Sequence, residues 1–216
     1  MIGILLIWVI MNKLLTILIF TLLVQSCINL REPYPKIEYY NLSAEKTMLV
    51  DLPLRESTVM LRRVIVNESI DTPHLLVMNE PSSVQRLFYH RWISDISTIS
   101  TDFILTRINQ SGLLKKGVVN SSSIAIPDYI IEPQLIEMTA TNYSLPDTSS
   151  NYVSVEINVK FLKRMPDNKL EIIHNGVYKQ KYIRRKKGIS SIPQAYSKVF
   201  SLAVDNMISD LSNIIK

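Results

Sequence analysis

The chain has one cysteine, Cys27, in 216 residues. An internal disulfide is therefore excluded, and stability has to come from a packed core. Glycine is scarce, at five residues, which argues against a phosphate-cradling loop or a glycine-rich solenoid. The three histidines, His74, His90 and His174, are scattered, without the paired spacing of a zinc site. HExxH, Walker A, GxSxG, CxxC and GxGxxG patterns are all missing. No nucleophile, base or metal set can be assembled from what remains, so an enzyme is the least favoured class and no cofactor is expected. The basic excess is mild, with 24 Lys and Arg against 19 Asp and Glu. Nucleic-acid binders cluster such residues and usually carry a recognisable motif, so no nucleic-acid partner is expected.

What is present begins with an apolar run. Leu14 to Val24 is uncharged, and Lys13 stands immediately before it. A positive start, a short apolar segment and a small residue before the cut form the layout of a secretory signal. Met11-Asn12-Lys13 makes a better start for it than Met1. Val24-Gln25-Ser26-Cys27 resembles a bacterial lipobox. That resemblance implies cleavage between Ser26 and Cys27, diacylglycerol on the Cys27 thiol and an acyl chain on its amino group. Three chains anchor firmly where one is marginal. Ile28 is not the aspartate that commonly retains lipoproteins in the inner membrane, so the periplasmic face of the outer membrane is expected. Two other readings stand beside this one. Residues 1–24 taken together could be a transmembrane anchor, with Lys13 costly in mid-span. A catalytic cysteine would need a base and a thiolate-stabilising setting.

Residues 1–26 are thus read as signal, 27–36 as a tether containing Pro33 and Pro35, and 37–216 as one domain. The mature chain of 190 residues has the size of a single domain. Short strands are expected at Ile37 to Leu42, Leu49 to Leu54 and Val59 to Val66, with a turn over Asn67 to Pro73. Leu75 to Asn79 and Gln85 to Tyr89 read as a hairpin. Apolar residues at Trp92, Ile93, Ile96, Ile99, Phe103, Ile104 and Ile108 have helical spacing from about Arg91 to Ser111. Gly112 sits where a left-handed cap belongs. Ile124 to Thr139 is extended, and Pro133 marks an edge or a bulge. Val153, Val155, Ile157, Val159 and Phe161 alternate with polar residues in strict period two. Pro166-Asp167-Asn168 turns the chain, and Leu170 to Tyr182 returns beside it. A second long helix begins near Ser191 or Pro193, with Tyr196, Val199, Phe200, Ala203, Met207, Leu211 and Ile215 as its stripe. The expected fold class is α/β: one mixed sheet with two long one-sided helices.

Four clusters invite a functional reading. Asp95 and Asp102 fall on one helix face, which a solvated surface explains best. Each histidine is best read as an ordinary surface or structural residue. Trp92 is most simply core; beside Arg91 it could also be an aromatic-plus-guanidinium anchor of the kind enriched at interfaces. Arg184-Arg185-Lys186-Lys187, with Lys179 and Lys181 before it, reads first as a solvated loop and second as a contact for acidic headgroups or an acidic partner.

The succession of lipobox cysteine, Tyr39-Tyr40-Asn41-Leu42, Tyr89-x-Arg91-Trp92, long helix, Asp128-Tyr129-Ile130-Ile131-Glu132, long hairpin and terminal helix resembles the ABC-type transport auxiliary lipoproteins. That family includes the paraquat-inducible protein C lipoproteins. The resemblance implies a three-layer α/β domain similar to the N-terminal domain of the Tol-system propeller protein. It also implies a non-enzymatic accessory subunit of a lipid-transport machine. Its partners would be ABC transporter subunits and a mammalian-cell-entry-domain protein, with assembly into a homo-oligomeric ring. A periplasmic lipid carrier, or a lipoprotein cofactor of a cell-wall or secretion complex, is the alternative.

Overall fold

A computed structural model describes residues 2–25, 34–44, 52–80, 82–142, 151–185 and 188–215. The chain divides into two compact units, Met1–Lys36 and Ile37–Lys216. In the first, helix α1 runs over Ile2–Gln25. It includes the whole apolar run and continues back past Lys13 and Met11. Trp8, Met11, Leu14 and Ile17 along it are exposed. Ser26 and Cys27 lie outside the described residues.

The second unit holds nine strands and two helices among its described residues. β1 (Glu38–Tyr40), β4 (His74–Glu80) and β5 (Ser83–Trp92) form a three-stranded sheet in the order β1-β5-β4. β2 (Val59–Leu61), β3 (Ile65–Val66), β6 (Val118–Asn120), β7 (Tyr129–Ala140), β8 (Tyr152–Arg164) and β9 (Leu170–Ile183) form the larger one. Its order is β6-β2-β7-β8-β9, with β3 also beside β7. The mixed α/β architecture matches expectation. The ladders part into two sheets because β4 meets the large sheet only at a bridge from Met78 to Thr141. Elsewhere Ile70, Leu76, Met78, Val84, Met138 and Ala140 hold the sheets apart around an apolar cleft of about 200 Å³.

Pro133 explains a second departure. Val59 to Val66 is two short strands rather than one. Ile131 and Leu135 accept bonds from Arg62 and Asn67 on that side of β7. Backbone groups two residues apart point the same way along a strand. Pro133 therefore turns its missing N–H toward the gap between β2 and β3, the place where a ladder bond can be spared. Of the expected strand at Leu49 to Leu54, residues 49–51 lie outside the described residues, and Leu52 to Leu54 join no ladder.

Helix α2 spans Ile96–Gln110, starting five residues later than the apolar spacing suggests. Asp95 is its N-cap and accepts from the Thr98 N–H at 2.8 Å. Trp92 and Ile93 therefore precede the helix, with Trp92 ending β5. Gly112 follows with φ of 71°, as a left-handed cap requires. The β8–β9 hairpin turns at Asn168, whose φ of 63° suits asparagine. Helix α3 covers Ser191–Ile214, with Pro193 in its first turn.

Both helices face one side of the large sheet. Phe103 of α2 meets Phe200 of α3 edge to face. Arg107 of α2 forks onto Asp205 of α3 at 2.6 and 2.8 Å. Tyr178 of β9 reaches Asp210 of α3 at 2.8 Å, while its strand neighbour Val177 turns the other way and is 67% exposed. The buried faces of β7, β8 and the two helices make one continuous core.

Candidate docking surfaces

Trp92 takes the core position. It is 4% exposed and its ring lies 5.8 Å from that of Tyr196. Arg91 is half-buried, and its Nε donates to the Phe88 carbonyl. The pair is therefore not a free anchor: the tryptophan is spent on packing. Exposed aromatic residues of this region are Tyr39, at 59%, opposite Arg91 on β1, and Phe88, at 65%, and Tyr89, at 48%, on the part of β5 that extends beyond β1. Sequence reading placed Tyr89 in a motif but gave neither β5 ring a contact role, because adjacent residues of a strand point to opposite faces and leave no one-sided pattern.

The basic turn also changes character. Arg184 is 2% exposed and points inward. Its guanidinium donates to the carbonyls of Thr141 and Gly188, to Ser191 Oγ at 2.7 Å and to Asn142 Oδ1 at 3.2 Å. It thereby ties the end of β7 to the start of α3. Burial pulls its pKa below the ordinary arginine value. Arg184 is thus not a surface contact. Arg185 is exposed, and Lys186 and Lys187 lie outside the described residues.

The face of the large sheet opposite the helices is polar and open. Lys179 bridges Glu137 at 2.7 Å and Glu156 at 2.9 Å across three strands. Those hydrogen bonds raise the Lys179 pKa. The Glu137 carboxyl, which burial alone would raise, is held below its ordinary value by Lys179, Ser154 and Thr139. Beside this network Arg62 pairs with Glu132. A shallow groove of about 410 Å³ runs past Arg62, Ile65, Gln134, Asn158, Lys160 and Val177. Asn158 Oδ1 is buried there without a hydrogen-bond partner. Amides, paired charges and a few exposed aliphatics suit contact with another surface.

The titratable groups stay dispersed. His90 sits 2.9 Å from the Tyr40 hydroxyl, His74 packs against Phe88 and His174 against Phe161. Asp95 caps α2 and binds Arg63 at 2.8 Å, so its carboxylate already has a structural role. Among the described residues, no three His, Cys, Asp or Glu side chains converge as metal ligands would.

No protein-family model matches the sequence, and no curated protein matches it significantly. Solved structures do. A Xanthomonas campestris protein described as DUF330 superposes with a TM-score of 0.68 over 82% of this chain and 96% of its own, at 13% identity. A second crystal structure, described only as an uncharacterized protein, gives 0.52 over 82% and 99%, also at 13% identity. A hypothetical protein of Chlamydia trachomatis overlaps more loosely, at 0.45 over 71% and 96%. At such identity the first two matches establish a shared fold.

Proposed function

We propose that this chain is a lipid-anchored accessory subunit of an ABC-type, mammalian-cell-entry-linked lipid transport system, held at the periplasmic face of the outer membrane. The observation that carries the reading is the Val24-Gln25-Ser26-Cys27 lipobox, placed after apolar α1 and before a domain with the DUF330 fold. Acyl chains on Cys27 would hold the chain at a bilayer. Residues 28–36 would act as a spacer.

The role is positional rather than catalytic. Phe88 and Tyr89 on the free part of β5 are aromatic, a residue type enriched at interface hot spots, and the open face of the large sheet offers a second, polar contact surface. The apolar cleft between the sheets, at about 200 Å³, is smaller than the roughly 300–1,000 Å³ of typical ligand pockets. That size favours docking over the carrier alternative.

Affinity purification of the tagged full chain from envelope membranes tests the reading. A mammalian-cell-entry-domain protein and ABC transporter subunits should co-purify, and Phe88→Ala with Tyr89→Ala should reduce their recovery several-fold. Recovery of an intact transporter complex that lacks this chain would overturn it.

A further inference from the structure

Among the described residues two guanidinium groups are buried, and their surroundings differ. Arg107, 1% exposed, is met by the carboxylate of Asp205. Arg184, 2% exposed, is met only by neutral oxygens, and no carboxylate among the described residues pairs with it. Its Nε is buried with no partner. A buried charge with no counter-charge is costly, and here it is not isolated. Arg184 lines a half-open pocket of about 270 Å³ where the end of β9 meets the first turns of α3. Tyr182, Arg185, Ser191, Gln194 and Lys198 line it as well.

Among the described residues, three cations and no acid thus line the pocket. Arg185 and Lys198 are exposed, and among the described residues neither forms an ion pair. The Lys198 ammonium stands 5.5 Å from the centroid of the Tyr182 ring, which places its charge at the rim. The hydroxyl of Tyr182 and the amide of Gln194 add neutral groups, while the Ser191 hydroxyl is already donated to the Gly188 carbonyl at 2.8 Å. Charged and neutral donors together suit an oxyanion with several acceptor oxygens: the exposed Arg185 guanidinium matches phosphate, and Arg184, whose terminal N–H groups are committed to protein oxygens, adds an uncompensated positive charge behind it.

The geometry points to an anion site here that takes a phosphate ester. The pocket is large enough for a headgroup and too small for a whole lipid, so two sources share the chemistry: a soluble phosphate compound, or an anionic phospholipid presenting its headgroup. The inference does not depend on acylation of Cys27.

Calorimetric titration of the full chain in a nonionic detergent tests it, with inorganic phosphate, dihexanoyl phosphatidic acid and dihexanoyl phosphatidylcholine as separate probes. Phosphatidic acid should bind at least about tenfold more tightly than phosphatidylcholine. Arg185→Glu with Lys198→Glu should weaken it by about tenfold or more. Both positions are exposed, so an unchanged thermal melt would show that folding is intact. Inorganic phosphate binding as tightly as phosphatidic acid assigns the site to soluble phosphates; weaker binding assigns it to the lipid headgroup. Cys27→Ser should bind as the wild type does, which separates this result from any failure of anchoring. Equal binding by the charge-reversed and wild-type chains would overturn the inference, as would equal affinity for the two lipids or no binding by either anion.

Discussion

Replacing Asp205 by alanine takes the counter-charge away from a guanidinium that is almost wholly out of water. Arg107 lies between α2 and α3, and its two bonds to Asp205, at 2.6 and 2.8 Å, form a planar fork that fixes how the helices sit against each other. Removing one partner of such a pair costs roughly 3–5 kcal/mol. Asp205 retains 20% side-chain exposure, so water can enter after truncation, and the expected cost is at the lower end, about 3 kcal/mol. For a domain of this size each kcal/mol moves the midpoint by roughly 2–4 °C, giving a fall of roughly 6–12 °C. Urea titration followed by far-UV circular dichroism measures the first quantity and a thermal melt the second. Arg107→Met combined with Asp205→Leu should recover much of the loss, because the charge and its partner then leave together. A loss below about 1 kcal/mol for Asp205→Ala, within the range of exposed surface pairs, would refute the claim that this fork organises the helix layer.

Three further outcomes follow from single side chains. Asp95→Ala removes the N-cap of α2 and should cost about 1 kcal/mol at neutral pH. Burial alone would raise the Asp95 pKa, but bonds from Thr98 and Arg63 hold it below the ordinary value. Its contribution is therefore present above about pH 4 and lost as pH falls through the lowered native pKa, so urea curves of variant and wild type should converge in acid. Gly176→Ala places a Cβ against the Tyr178 hydroxyl and ring edge and should break the 2.8 Å bond to Asp210, costing on the order of 1–3 kcal/mol in urea titration. Burial, a hydrogen bond and the charge of Glu38 push the Tyr40 phenol up to about 12, and burial raises Tyr178 and Tyr196 further. Absorbance titration at about 295 nm should show these phenols protonated well past pH 10. The stability they confer should be complete below that pH and lost as it rises toward 12.

The parts of the fold that could be read in advance are those where one physical signal acts alone. Val153 to Phe161 alternates because one face of β8 meets the helices and the other meets solvent, and the stripe from Tyr196 to Ile215 repeats at helical spacing for the same reason. Signals that overlap were misread. Trp92 and Ile96 feed one core, so their spacing looks helical, although Asp95 and Thr98 mark a cap between them. The division of Val59 to Val66 is set by Pro133, about 70 residues away, which no local pattern can report. β6, only three residues long, carries too little periodicity to stand out. For the candidate surfaces, charge alone misled: Arg184 looks like its neighbours in sequence, yet neutral oxygens from β7 and α3 draw it inside. Phe88 and Tyr89 gave no warning because exposure depends on which strands β5 lacks as partners.

Mass spectrometry of the N-terminus of the chain recovered from the membrane and soluble fractions of the native host tests lipid anchoring. A chain beginning at Cys27 is expected, heavier than the bare peptide by a diacylglycerol and an amide-linked acyl chain. An unmodified peptide with Ser26 still joined to Cys27, recovered from a soluble fraction, would contradict it.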